Sequence, residues 1–247
     1  MTSGERPTPV AVLLADGALP SVEVIVSRAD TSIFASTLTR TAIAAPAAAT
    51  ASFADGVLTA RLAHMAAGAA DAFDAAVAAA LAGATPRSVI LDLRDDPGGS
   101  RSELAAIAGR FIDGPVWIKR TRTAQDEAQS AQAPKTSSPL SGVPVVVLVN
   151  GGTGDEAEML ASALRDVAEA KLVGEPTFGH GTLQTLTAVG RVRLRLTTGS
   201  WRSPKGAEVT DDGLKPDVVV EGRGAQDAAA DKLVGANPAA NAAGGGG

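Results

Sequence analysis

The segment PVVVLVNGGTGDEAEMLASALRDVAEAKLVGEPTFGHGTLQ, residues 144–184, decides the fold. Its run VVVLV is typical of a strand buried in a parallel sheet. The strand leads into a Gly-rich turn, and the turn opens a helix near Asp155. A second apolar strand ends in the loop TFGHG at residues 177–181. A nucleophile is commonly mounted at such a helix N-terminus beside a loop that carries its base. Here the two positions hold Asp155 and His180.

The composition indicates a globular protein and excludes several functions. The chain has 247 residues, 45% of them hydrophobic and 20% charged, so a core can form and global disorder is not expected. The net charge of −5 without a basic patch argues against nucleic acid as the main partner. The absence of cysteine excludes disulfides, thiolate metal sites and a cysteine nucleophile.

No part of the sequence has the length of a membrane span. The N-terminal apolar run at residues 10–15 is shorter than the core of a signal peptide and follows the acidic Glu5. We therefore expect a soluble chain without an export signal, which is compatible with a mature form or a fragment of an exported protein.

Patterning divides the chain into four parts. Residues 1–44 contain two β-prone runs, at 21–28 and 33–43, that predict a hairpin. Residues 45–52 are rich in Ala and Pro and are interpreted as a linker. Residues 53–224 alternate strands and helices, which predicts an α/β domain with a mostly parallel sheet and flanking helices. Residues 225–247 are interpreted as an Ala/Gly-rich tail, with a possible helix at 226–234. Residues 123–142 are expected to form a long mobile loop.

Three loops with unusual residues follow predicted strands of the α/β domain. They are RDDPGG at 94–99, NGGTGDE at 150–156 and TFGHG at 177–181. Ligands of parallel sheets bind at the carboxyl ends of the strands. We therefore expect the three loops to converge on one cleft.

These loops, in this order, resemble the carboxy-terminal processing peptidases, or tail-specific proteases. The resemblance runs from residue 53 to 221 and includes two further motifs, LTTGSWRSPKG at 196–206 and GLKPD at 213–217. It implies an α/β core, usually preceded by a PDZ domain, that cuts polypeptides near their C-termini with a serine nucleophile and a lysine base. It also implies a bacterial cell envelope or periplasmic location if the chain is a fragment, and no cofactor or metal.

Carried over by position, the family serine falls on Asp155 and the family lysine on His180. The family's aspartate falls on Asp166 and its glutamine on Gln184, and both are kept. The resemblance assigns Gly98 and Gly99 to the loop that forms the oxyanion hole. The supporting positions are thus present, whereas the two groups that perform the chemistry are replaced.

The replacements have a structural interpretation. Asp155 with Glu158 fits an N-cap and capping box at the helix start. If the family frame is kept, Asp155 and His180 are neighbours and can form a charged pair, which is either a structural replacement for the family's serine–lysine pair or a pH-sensitive one. An aspartate is a poor nucleophile toward an amide, and its charge repels a developing oxyanion.

Thr153 and Ser162 are two further hydroxyl side chains near the predicted turn and helix. Thr153 lies in the turn, two residues before the family serine position, and Ser162 lies inside the helix and is expected to point elsewhere. Asp155, His180 and His64 could in principle ligate a metal, but no ligand spacing supports this. His64 is more simply a hydrogen-bonded residue at the edge of the sheet.

The N-terminal part resembles the last third of a PDZ domain, with the end of a helix at residues 9–15 and then two strands. The carboxylate-binding nest of that domain is missing, so selection of C-terminal tails by that route is not expected.

Two functions compete. The first is a non-catalytic relative that binds an extended polypeptide, a partner's C-terminus or an apolar ligand in the cleft. The alternative is an active processing endopeptidase with a rearranged site, supported by Asp166, Gln184 and the Pro-Gly-Gly loop. A product without specific activity is the third possibility.

Overall fold

A computed structural model describes residues 20–27, 32–39, 41, 46–121, 126–130, 138–189 and 192–235. The chain divides into two compact units, residues 1–45 and 46–247. In the described part no helix is long and apolar enough to cross a membrane.

The first unit contains one antiparallel hairpin. Its strands β1 (Ser21–Ser27) and β2 (Ile33–Thr39) pair along their whole length, from Ser21 with Thr39 to Ser27 with Ile33. The hairpin predicted from the two β-prone runs is therefore present, although its second strand ends before residue 43. The predicted helix end at residues 9–15 lies outside the described residues, and the likeness to a PDZ domain stays a prediction.

The second unit is an α/β domain built on a six-stranded sheet, as predicted. The elements of this sheet and its helices are β3 (Ala49–Ala54), β4 (Val57–Leu62), α1 (Ala69–Leu81), β5 (Ser88–Asp92), α2 (Arg101–Ala108), β8 (Val145–Val149), α3 (Glu156–Val167), β9 (Lys171–Gly174), β12 (Val218–Val219) and α4 (Arg223–Gly235). The strand order is β12-β9-β8-β5-β4-β3, and every neighbouring pair is parallel except β3 with β4.

A four-stranded antiparallel sheet lies within the same unit. Its order is β10-β11-β6-β7, formed by β6 (Pro115–Thr121), β7 (Asp126–Ser130), β10 (Thr182–Val189) and β11 (Val192–Arg202). Strand β10 follows the His180 loop directly and lies at one edge of this sheet. The sheet therefore brings an edge strand to the loop that carries His180.

Fully buried strands make the core of the larger sheet. All five residues of β5 and all five of β8 are buried, as the apolar runs VIL of β5 and VVVLV of β8 predict. Helix α3 buries one continuous segment from Glu156 to Leu164. The two acidic residues Glu156 and Glu158 therefore enter the interior, where a carboxylate needs hydrogen-bond donors.

Three boundaries differ from the sequence predictions. The segment 45–52, interpreted as a linker, contains the start of β3, which pairs with β4 from Ala49 onward, so the domain begins before residue 53. The segment 225–247, interpreted as a tail, begins inside α4; the helix indicated at 226–234 is present, and it buries Gln226, Ala230 and Val234 at helical spacing. The predicted mobile loop 123–142 contains β7, which pairs with β6. In the first segment, an Ala-rich run forms a paired strand where its composition suggested a linker.

Candidate active site

The turn between β8 and α3 holds its last residue in a strained conformation. Asp155 has φ 46° and ψ −117°, which L residues other than glycine rarely adopt. A backbone hydrogen bond to the neighbouring loop holds the turn, because the Gly154 N–H donates to the carbonyl of Asp96 at 2.9 Å. The side chain of Asp155 is thereby lifted at the start of the helix, as in a nucleophile elbow.

Thr153 supports this turn instead of facing the cleft. It is fully buried, and its Oγ1 donates to the carbonyl of Leu93 at 2.8 Å and accepts from the Asn150 N–H at 3.0 Å. Ser162 is also buried and donates to the carbonyl of Met159 at 2.9 Å. Neither hydroxyl is presented to a substrate.

The structure brings Asp155 and His180 together. The distance from His180 Nδ1 to Asp155 Oδ1 is 2.9 Å, and the two side chains are 35% and 42% exposed. The contact predicted from the family positions is confirmed. The predicted capping box is wrong, because Asp155 makes no side-chain cap bond and Glu158 turns toward the His180 loop.

Glu158 organises that loop. It is fully buried, and its carboxylate accepts hydrogen bonds from the hydroxyl of Thr177, from the Gly179 N–H at 2.8 Å and from the His180 N–H at 2.9 Å. On the far side of the loop, Trp201 Nε1 donates to the carbonyl of His180 at 2.8 Å. The backbone of His180 is thus held from two sides, which sets the position of its ring against Asp155.

The amides of the Pro-Gly-Gly loop are bonded to carboxylates of the chain itself. The Gly98 N–H donates to Asp96 Oδ1 at 2.8 Å, and the Gly99 N–H donates to Glu156 Oε2 at 2.9 Å. Glu156 also lies 3.7 Å from the Nε of Arg101. Gly98 has φ 87° and a Cβ added to it would lie 2.7 Å from the Glu156 nitrogen, so only glycine permits this approach. The carboxylate of Glu156 therefore already accepts the hydrogen bond of the Gly99 N–H, a donor that the resemblance assigns to an oxyanion.

Asp96 is a buried carboxyl beneath the same loop. Burial raises its pKa from 3.8 to about 7, and the negative charge of Glu156 adds to the rise, while the Gly98 N–H and Arg61 oppose it. Within the described residues its Oδ2 has no hydrogen-bond partner. The loop thus rests on a group that can hold a proton near neutral pH.

These elements line a cavity of about 290 Å³. Its wall contains the acids Asp155 and Glu156, the cations Arg101 and Arg195, and the remaining lining residues Gly99, His180, Thr182 and Gln184. The three loops therefore converge as predicted, and Gln184 faces the same cavity as His180. Thr182 carries a hydroxyl, but it lies on β10 after His180 and not at the N-terminus of α3, where the family serine is expected.

Asp166 lies elsewhere. It is near the last turn of α3, eleven residues after Asp155, or about 16 Å along the helix axis. Its Oδ2 accepts from the Lys205 N–H at 2.9 Å. The structure gives this residue a structural contact at the opposite end of the helix.

His64 makes a local bond. Its Nδ1 accepts from the Ala66 N–H at 3.3 Å. In the part of the chain that the structure describes, no three His, Cys, Asp or Glu side chains are grouped as metal ligands. The site combines the Asp155–His180 pair with three buried acids, Asp96, Glu156 and Glu158.

Sequence comparison identifies related proteins. The profile of peptidase family S41 matches residues 56–220. A carboxy-terminal-processing protease of Bartonella bacilliformis is 32% identical over 136 residues, covering 55% of this chain and 31% of the relative. Carboxy-terminal processing protease CtpA of Bacillus subtilis is 34% identical over 136 residues, covering 55% and 29%. The chain spans about a third of the length of these relatives.

Structural comparison agrees with the sequence. A photosystem II D1 C-terminal processing protease superposes with a TM-score of 0.66 at 26% identity, covering 81% of this chain and 55% of that one. A lipoprotein from Streptococcus agalactiae superposes with a TM-score of 0.60 at 15% identity, covering 76% and 69%, which shows the shared fold.

Proposed function

The chain belongs to peptidase family S41, and from this premise we propose that it is a non-catalytic member, which holds an extended polypeptide in the cleft without cutting it. The observation that carries the proposal is the contact of 2.9 Å between Asp155 and His180 at the positions of the family's serine and lysine. A serine–lysine pair works because a neutral amine removes the proton of a hydroxyl. Asp155 carries a carboxyl group in place of that hydroxyl and is a weak nucleophile toward an amide.

The loop at Gly99 supports the same conclusion. Acyl transfer needs N–H donors aimed at the place where the oxyanion develops. Here the Gly99 N–H already donates to the carboxylate of Glu156, which is 9% exposed. A second anion at this place would meet the charges of both Glu156 and Asp155. The site therefore repels the intermediate that a peptidase must stabilise.

The binding part of the proposal rests on strand β10. It is an edge strand, and Thr182 and Gln184 at its start line the cavity with His180. An extended polypeptide can add to such an edge through main-chain hydrogen bonds, while neighbouring pockets select side chains. Arg101 on the cavity wall already lies 3.7 Å from Glu156, whereas Arg195 on the same wall can pair with an acidic side chain of the segment.

The alternative is an active endopeptidase with a rearranged site. The observation that favours it is the strained φ of 46° at Asp155, the type of backbone on which a nucleophile is mounted. This alternative would need another nucleophile, and the buried Thr153 is already bonded to Leu93.

A cleavage assay on a fluorescent, unfolded polypeptide separates the two functions. We expect no turnover by the wild type or by Asp155→Ser alone. The variant Asp155→Ser/His180→Lys/Glu156→Ala restores the family pair and frees the Gly99 amide, so slow cleavage is expected. Circular dichroism of each variant verifies folding. Turnover by the wild type that is lost in Asp155→Ala would overturn the proposal.

Binding is measured by fluorescence anisotropy with a labelled 12-residue peptide that contains one Glu. The matched control is the same peptide with alternate backbone amides N-methylated, which removes the donors needed for strand addition. We expect binding by the wild type that weakens at least tenfold for the methylated peptide. Equal binding of the two peptides would contradict docking on β10.

A further inference from the structure

Strand β11 carries two arginines on the face of the β10–β11 pair that is turned toward the cleft. The two strands are antiparallel, with Gln184 opposite Thr197, and residues directly opposite each other share a face. Because side chains alternate along a strand, Thr197, Arg195 and Arg193 lie on one face of β11. Gln184 and Arg195 both line the cleft cavity of about 290 Å³. The face that carries the two arginines is therefore the one beside the cleft.

Neither arginine is neutralised within the part of the chain that the structure describes. Arg193 and Arg195 are exposed, and no acidic side chain of the described residues pairs with them. The residues of β10 that stand opposite them, Ala188 and Leu186, carry no charge. Arg101, on the same cavity wall, already has a carboxylate 3.7 Å from its Nε. Arg193 and Arg195 are therefore available to anionic groups of a ligand.

The acids that line the cavity have donors of their own. Asp155 contacts the His180 ring at 2.9 Å, and the Glu156 carboxylate accepts a loop N–H at 2.9 Å. Arg195 stands on the same wall, whereas Arg193 lies two residues farther from the cleft, or about 7 Å along β11. The repulsion that these acids exert on a bound carboxylate therefore decreases toward Arg193.

The spacing of the two arginines equals the spacing of side chains on one face of an extended polypeptide. Both are two residues, or about 7 Å. A polypeptide added to the free edge of β10 lies two strands from β11, or about 10 Å, and long side chains reaching from both sides span this distance. The planar guanidinium group of arginine also matches the geometry of a carboxylate.

We propose, on the basis of the proposed function, that the polypeptide held on β10 carries acidic side chains at two positions separated by one residue, which pair with Arg193 and Arg195. Two adjacent acidic residues would point to opposite faces of the added strand, so that only one of them meets an arginine. The cleft therefore selects the spacing of the charges as well as their sign.

The test uses three labelled 12-residue peptides in fluorescence anisotropy on the full chain. Their centres are Glu-Ala-Glu, Glu-Glu-Ala and Gln-Ala-Gln, so the first two have the same composition and net charge. At low ionic strength each exposed pair should contribute about threefold in affinity. We expect Glu-Ala-Glu to bind about threefold more tightly than Glu-Glu-Ala and about tenfold more tightly than Gln-Ala-Gln. In 1 M salt, where the Debye length is about 3 Å, these differences should fall below about twofold.

Charge substitutions locate the pairs. Arg193→Gln should remove the preference for Glu-Ala-Glu over Glu-Glu-Ala, and Arg193→Gln/Arg195→Gln should bind all three peptides equally. Arg193→Glu/Arg195→Glu should instead prefer a Lys-Ala-Lys peptide. The matched control is Lys232→Gln, which removes one positive charge from an exposed position of α4 and should leave every preference unchanged. Circular dichroism verifies that each variant is folded.

The neutral peptide separates this proposal from the proposed function. If Gln-Ala-Gln binds and N-methylation of its backbone weakens it, strand addition at β10 stands by itself. Equal affinities of Glu-Ala-Glu and Glu-Glu-Ala would then overturn the charge spacing alone and leave the two arginines as solvent-exposed charges. A preference that persists in Arg193→Gln/Arg195→Gln would also overturn it. No binding of any of the peptides would overturn the proposed function and the charge spacing together.

Discussion

Replacing Asp96 by Asn should change how stability depends on pH. Asp96 is fully buried, and its Oδ1 accepts the Gly98 N–H at 2.8 Å. Asn keeps the shape and that acceptor but does not titrate. Its amide group takes the place of Oδ2, which has no partner in the described structure. The unpaired amide adds a cost that is independent of pH, so the pH-dependent part of the difference isolates the ionisation of Asp96.

The magnitude follows from the pKa. In the folded chain burial raises the pKa of Asp96 from 3.8 to about 7. Between these values the native state holds a proton that the unfolded state has released, so stability falls as pH rises. The interval of about three pH units at 1.36 kcal/mol each corresponds to roughly 4 kcal/mol. Below pH 4 the contribution is fully favourable, and above pH 7 it is lost.

Urea unfolding at pH values from 4 to 8 measures the effect. We expect the stability of Asp96→Asn relative to the wild type to increase by about 4 kcal/mol over this range. Asp212→Asn, at an exposed loop position, removes the same formal charge and controls for the net charge of the chain. A relative stability of Asp96→Asn that stays constant within 1 kcal/mol would refute an ionisable, desolvated Asp96.

Three further substitutions test the site's construction. Glu158→Gln replaces one acceptor oxygen by an amide donor that faces the loop N–H groups of Gly179 and His180, so the free energy of unfolding in urea should fall by about 2–4 kcal/mol. A loss below about 0.5 kcal/mol would contradict this role. Asp155→Gly relieves a positive φ that costs about 1–3 kcal/mol and loses an exposed pair worth about 0–1 kcal/mol. The midpoint temperature of unfolding should therefore rise, and a fall would mean that the pair with His180 outweighs the strain. Gly181→Ala places a Cβ 1.9 Å from the Val209 carbonyl oxygen, so a loss of about 3 kcal/mol is expected in chemical unfolding, and an unchanged midpoint would show that the loop can move.

The sequence predicted the elements whose residues bury large side chains. The centre of β5, residues 89–91, and the whole of β8 are apolar, which is typical of a strand covered on both faces. The start of strand β3 lies in the segment interpreted as a linker, because its Ala-rich residues resemble a flexible composition, and its order comes from pairing with β4. Helix α4 is indicated at 226–234 within the Ala/Gly-rich tail, and three residues buried about one helical turn apart hold it in place, Gln226, Ala230 and Val234.

The sequence predicted the part of the site in which two side chains contact each other. The contact between Asp155 and His180 followed from two positions in a known frame. The roles of Glu156 and Glu158 did not, because their partners are backbone N–H groups of Gly99, Gly179 and His180, which leave no mark in the sequence. Two acidic residues in the first turn of a buried helix are the available signal; from the sequence, Glu158 is interpreted as part of a capping box with Asp155, and Glu156 is given no role.

The strain at Asp155 shows where the site's geometry resides. A non-glycine residue keeps a positive φ only where its surroundings impose it. Here the Gly154 N–H is bonded to Asp96, and the Met159 N–H is bonded to the carbonyl of Asp155 at 3.1 Å. Neither bond involves the side chain of Asp155. The turn therefore keeps its shape whichever side chain it carries, and under the proposed function the groups at Asp155, Glu156 and His180 decide whether a polypeptide is held or cut.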